Sequence, residues 1–164
     1  INNKFDGSDP NSSLLIIPLP GSELNNAETE SLRLHLQSGG RVFFIAENNS
    51  CCRVINNNIS KVLADLNGSM SVKDGSHPQK ELNNSSDPKN LNDSYLNAGV
   101  ERFPLSAYAE LTIDPNISQA IMVDNARRIV SADQALLNGR ATLIADINFI
   151  GMPNDFFPLT QKFS

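Results

Sequence analysis

Apolar residues fall along this chain in short unbroken runs separated by polar, turn-rich stretches. Leu14-Leu15-Ile16-Ile17-Pro18-Leu19-Pro20 is the first run and Arg41-Val42-Phe43-Phe44-Ile45-Ala46 the second; Arg140-Ala141-Thr142-Leu143-Ile144-Ala145-Asp146 comes late. Unbroken rather than alternating apolarity predicts strands covered on both faces, the habit of parallel sheets. Pro18 and Pro20 have no N–H to give a ladder, so the first strand should leave its sheet there. Between the first two runs, Ala27, Ser31, Leu32, His35 and Leu36 recur at helical spacing. Asn25 stands as N-cap with Glu28 at the capping-box position, and Gly39-Gly40 supplies a left-handed stop. Strand, helix and strand within about thirty residues make a βαβ unit.

The pattern then repeats more loosely. Val54, Ile55, Ile59, Val62, Leu63 and Leu66 predict a second amphipathic helix closed by Asn67-Gly68, and Met70-Ser71-Val72 a short strand. Residues 73–98 are rich in Asn, Asp, Ser and Pro and read as a long loop. Phe103-Leu105, Ala109-Ile113, Gln119-Val123 and Ile129-Val130 predict a meander of short strands, and the turn Asn138-Gly139 sets up the last run. Phe149, Ile150, Phe156, Phe157 and Leu159 form an apolar tail that needs a surface, which a neighbouring domain could offer. Residues 1–13 are a polar lead-in, and 14–164 suit a single α/β domain.

Composition narrows the function classes. Thirteen Lys and Arg against eighteen Asp and Glu give a net charge of -5, and no basic stripe offers a footprint for nucleic acid. No apolar run approaches the roughly 18 residues of a membrane span, so no membrane insertion is expected. The polarity comes largely from asparagine, clustered at caps and turns.

Two constellations carry candidate chemistry. Cys51-Cys52 reads three ways: an inert apolar pair, a vicinal or intermolecular disulfide, or a reactive thiol. The inert pair is the expectation, since a nucleophile needs a base and neither His35 nor His77 stands at an identifying spacing. The second constellation lies at strand ends. Parallel strands bring their carboxyl ends to one edge, where ligands bind, and this edge would collect Ser22, Glu47, Asn48, Asp146 and Asn148 as ligand-binding candidates. Sugar hydroxyls or a hard cation suit such oxygens; the plainer alternative is that each carboxylate caps the turn or helix that follows it. No metal or cofactor is expected. Asp74, His77, Glu81, Asp87 and Asp93 match no EF-hand or zinc spacing. Gly39-Gly40 ends a helix instead of opening one, so no phosphate loop is present.

The run Leu14–Pro20, then Leu24-Asn25-Asn26-Ala27-Glu28, then Leu36-Gln37-Ser38-Gly39-Gly40-Arg41-Val42, resembles the class I glutamine amidotransferase-like superfamily, nearest its non-catalytic, extracytoplasmic branch. Asn57–Asn67 is similar to that family's second helix and Gly139–Asn148 to its late strand, so the likeness spans about 14–150. It implies a three-layer, flavodoxin-like, mostly parallel sheet, to which the C-terminal residues add an antiparallel meander. The family's first strand is not recognisable in Ile1–Ser13, which would leave the Leu14 strand at an edge. Where the family's nucleophile elbow reads Gly-x-Cys-x-Gly, this chain has Ala46-Glu47-Asn48-Asn49-Ser50-Cys51-Cys52, which does not encode the strained turn. The resemblance therefore implies a non-catalytic ligand-binding or assembly domain of a larger secreted or cell-surface protein. Carbohydrate is the suggested ligand, and neighbouring domains or another protein are the suggested partners. The alternative is a Cys-dependent hydrolase or amidotransferase-like enzyme using Cys51 or Cys52, with His77 as base and Glu47 as its orienter.

Overall fold

The computed structural model describes residues 14–74, 105 and 107–147. His77, Asn148, most of the long loop and the apolar tail from Phe149 lie outside them. Strand β1 (Leu14–Pro18) leads to helix α1 (Asn26–Gln37) and strand β2 (Arg41–Ile45). The capping box forms as its residues dictate: the Asn25 side chain accepts from the N–H groups of Ala27 and Glu28 at 2.9 and 3.0 Å, and Glu28 accepts from the Asn25 N–H at 2.9 Å. At the other end Gly39 takes φ of 90°, and the Gly40 N–H donates to the His35 carbonyl at 2.9 Å. Helix α2 runs Asn49–Asp65, starting earlier than its apolar pattern predicts because Asn48 caps it and accepts from the Ser50 N–H at 2.8 Å. Val54 is on its exposed side. The stop falls on Asn67, whose φ of 63° is the left-handed turn expected of Asn67-Gly68.

The remaining strands are β3 (Ser71–Val72), β4 (Leu111–Thr112), β5 (Ser118–Val123), β6 (Ile129–Leu136) and β7 (Gly139–Ile144). The main sheet has the order β1-β2-β7-β6-β5; β3 and β4 pair antiparallel in a small ribbon of their own. β1 and β2 pair in parallel, Ile16 beside Phe43, and β2 and β7 in parallel, Phe43 beside Thr142. β7–β6 and β6–β5 are antiparallel. The sheet is thus mixed. The expected parallel predominance holds for strand direction, since only β6 runs backwards, but two of the four pairings are antiparallel. Of the expected meander, the Gln119-Val123 and Ile129-Val130 segments form β5 and β6, which pair in sequence with the last run, β7, whereas Ala109-Ile113 leaves the meander and supplies β4 to the ribbon with β3. β6 extends well past the expected Ile129-Val130 because its continuation buries Ser131, Asp133 and Gln134, which break the apolar pattern. Of the predicted Phe103-Leu105 strand only Leu105 is described, and it is buried outside any strand.

Both helices cover one face. Leu32 and Leu36 of α1 and Ile59, Val62, Leu63 and Leu66 of α2 pack with Val42, Phe44, Ala141 and Leu143 in one core. The cause is topological: β1 to β2 to β7 steps twice in the same direction, and two crossovers of one hand then lie on the same side. The second helical layer of a three-layer sandwich is not among the described residues. Ile45, Leu105, Tyr108, Met122, Val130 and Ile144 form a second cluster. β1 ends the sheet: among the described residues nothing pairs with its outer edge, and Leu14 and Ile16 remain 53% and 54% exposed. A cavity of about 240 Å³ opens between β1 and α1, lined by Leu15, Ile17, Pro18, Leu24, Glu28 and Leu32 among others.

Candidate functional site

The carboxyl ends of β1, β2, β5 and β7 share an edge with the start of β6. Glu47 and Asn48 lie just past β2 beyond Ala46, Asp146 lies just past β7 beyond Ala145, and the turn Asp124–Arg128 joins β5 to β6. Glu47, Asn48 and Asp146 are all buried. The Glu47 carboxylate accepts from the Asn48 N–H at 2.7 Å and from the Ile147 N–H at 3.2 Å, which ties the ends of β2 and β7 together. Burial, supplemented by the nearby charge of Asp146, outweighs these two bonds and pushes the Glu47 pKa up to about 7.

A lattice of carboxamides surrounds this carboxylate. Asn56, on α2, accepts from the Glu47 N–H at 3.1 Å and donates to the Glu47 carbonyl at 2.5 Å. Asn56 also donates to the Asn49 side chain at 2.7 Å, and Asn49 donates to the Lys73 carbonyl at 2.7 Å. The Asn48 side chain donates to the Tyr108 carbonyl at 3.1 Å while its oxygen caps α2. Every one of these bonds satisfies a buried polar group that would otherwise be costly.

Beyond Asn48 lies a second polar knot. The Tyr108 hydroxyl donates to Asp124 at 2.5 Å, and the Arg128 guanidinium pairs with the same carboxylate and lies 6.0 Å from the centre of the Tyr108 ring. Burial, and then the bond to Asp124, raises the Tyr108 pKa. Burial works against an ionised Asp124. The bonds it accepts from the Tyr108 hydroxyl and from the Arg128 N–H and guanidinium prevail, and they hold its carboxyl below the usual range.

The expected strand-end set is therefore only partly assembled. Glu47, Asn48 and Asp146 meet. Ser22 does not join them: it sits exposed in the bend after β1, and it is Asn58 of α2 that reaches that loop, donating to the Pro20 carbonyl at 3.3 Å. Asn148 lies outside the described residues. Glu47 and Asn48 make capping and bracing bonds at this edge. Asn49, Asn56, Tyr108, Asp124 and Arg128 were not foreseen. Asn49 and Asn56 are seven apart, two helical turns, and that spacing is the one signal that could have paired them. Among the described residues no three His, Cys, Asp or Glu side chains converge as metal ligands would.

Cys51 and Cys52 are joined in a vicinal disulfide at the start of α2, replacing the expected inert pair. In that state neither sulfur is a nucleophile, so the enzyme alternative lacks its attacking group; its base, His77, is outside the described residues.

No family model matches the chain, and no curated protein matches it. Solved structures do. The chain is similar to the mmIFT52 N-terminal domain with a TM-score of 0.60 and 18% identity, over 82% of this chain and 65% of that one. It is similar to the cold-adapted β-galactosidase from Rahnella sp. R3 with a TM-score of 0.57 and 14% identity, over 82% of this chain but only 20% of the enzyme. A cytoplasmic protein of Salmonella typhimurium LT2, STM1381, gives 0.57 and 14% over 93% of this chain and 66% of that one. The likeness is one of fold. The chain spans less than two-thirds of the first two relatives, and identities this low carry architecture without activity.

Proposed function

We propose that this chain is a non-catalytic ligand-binding or assembly domain of a larger secreted or cell-surface protein, with carbohydrate as its ligand class. The observation that carries the reading is the commitment of the strand-end groups to one another. Glu47 holds two backbone N–H groups, Asn56 clamps the Glu47 backbone, and both cysteine sulfurs are bonded. While the disulfide is closed, that arrangement braces the strand-end rim and presents no thiol for chemistry.

Three further points support it. The same fold makes up about a fifth of a β-galactosidase, a precedent for such a unit inside a larger carbohydrate-acting protein. Disulfides persist in oxidising compartments, which favours an extracytoplasmic setting. No helix among the described residues is long and apolar enough to cross a membrane. Kinship with the non-catalytic branch of the amidotransferase-like superfamily, including its three-layer arrangement, belongs to the same reading and rests on the strand and cap strings quoted above.

The test is a thermal-shift series on the whole chain with galactosides, other saccharides and divalent cations. A sugar that binds only the folded chain, at a hundred times its Kd, adds about 2.7 kcal/mol, which raises the melting temperature of a domain of this length by about 5–11 °C. Glu47→Gln, which keeps the shape of the rim, should reduce that rise. No shift from any saccharide overturns the carbohydrate assignment.

A further inference from the structure

We propose that Cys51-Cys52 is a thiol–disulfide exchange site whose oxidation state sets the first turns of α2. Successive side chains of an α-helix point about 100° apart, so adjacent cysteines cannot join their sulfurs while both keep helical backbone angles. One residue must leave the helix. It is Cys52, whose φ of -129° and ψ of 24° form a non-helical break inside an otherwise continuous α2. The bond and the break are thus one feature: the disulfide holds the break open.

The site suits exchange. Cys51 is exposed and Cys52 half-buried, so an incoming thiolate can reach the Cys51 sulfur. Both residues lie in the first turns of α2, where the partial positive charge of the helix N-terminus stabilises a departing thiolate. The Cys51 sulfur rests 3.1 Å from the Asn48 carbonyl oxygen, so a released thiol there finds an acceptor already in place. The co-reactant is a dithiol. Its first thiolate attacks the Cys51 sulfur, forming a mixed disulfide while the S–S bond breaks and Cys52 leaves as thiolate. Its second thiolate then closes on the first sulfur and releases Cys51. Each cysteine takes up one proton; the protein gains two electrons, and the dithiol ends as a disulfide.

The break also lies between two members of the carboxamide lattice. Asn49 precedes it and Asn56 follows it, and these two bond each other while Asn56 grips the Glu47 backbone. Closing the break on reduction shifts one against the other.

The whole chain, kept native, is treated with dithiothreitol and then iodoacetamide and read by peptide mass. No labelling is expected without reductant, and labelling of both cysteines after it. Hydrogen exchange of the Arg53–Ile55 amides should slow by about tenfold on reduction as the helix becomes continuous. The double variant Cys51→Ser, Cys52→Ser should show the slower exchange with or without dithiothreitol. Labelling without reductant, labelling only in denaturant, an unchanged exchange rate on reduction, or a double variant that exchanges like the oxidised chain would each overturn the proposal.

Discussion

Glu47 is an acid held where its charge is unwelcome. With its folded pKa near 7 against an ordinary 4.5, the native chain binds more protons than the unfolded one between those values. Stability should therefore be full below about pH 4.5, fall as pH rises toward 7, and level off above it. Denaturant titrations at several pH values check this, and Glu47→Gln should flatten that limb. Asp124 works in the opposite sense. Its pKa is depressed in the fold, so its contribution is present above its ordinary 3.8 and lost as pH falls below that. Tyr108→Phe removes one donor to the Asp124 carboxylate and should cost about 1–2 kcal/mol, less than removing the carboxylate itself, because Arg128 remains paired. Glu47 and Asp146 were legible as strand-end acids because adjacency to a strand is written in the chain. Tyr108 and Arg128 were not: Arg128 reaches this edge only through the pairing of β5, β6 and β7, and Tyr108 only because the next residue, Ala109, donates its N–H to the Ala145 carbonyl beyond β7.

At the level of elements, the most local signals are the ones that translated directly into structure. The capping box at Asn25 formed with both its bonds, and Asn25→Ala should cost about 1 kcal/mol, measurable by urea unfolding. The junction where α1 ends and β2 and β7 begin is tighter. A methyl group on Gly139 would collide with the Gly40 carbonyl oxygen and lie 2.9 Å from that of Leu36. Gly139→Ala should therefore destabilise by about 3 kcal/mol, the upper end of ordinary overpacking, since backbone rather than a side chain must yield. The turn Asn138-Gly139 announced that junction, but the reason for its glycine lies a hundred positions away. The length of β6 was hidden for a related reason. Asp133 looks like a surface residue until Arg140 and Thr142 of β7 are seen to bond it. Periodicity reads what a residue is, whereas burial of a polar group depends on a partner that periodicity does not contain.

For the molecule as a whole, the outer side of β1 is, among the described residues, an exposed liability. Leu14 and Ile16 face solvent on a strand whose outer ladder pairs with nothing among the described residues and which has no charged guard within Leu14–Pro18. Ile16→Lys should leave stability within about 0.5 kcal/mol and lower any self-association seen by light scattering at high concentration; undiminished association would place the contact elsewhere. The centre of the sheet has a different consequence. Arg41 of β2 stands beside Arg140 of β7, so the pair that completes the core joins parts of the chain made far apart in time. During synthesis β1, α1 and β2 emerge well before β7 and must wait, with one flank of β2 unpaired, until β7 leaves the ribosome. Closing so long a loop adds little to its entropic cost with each further residue but delays the event itself. Folding of this chain should accordingly be slow for its size and limited by the arrival of β7, and a nascent chain stopped before Gly139 would depend on a chaperone to stay soluble.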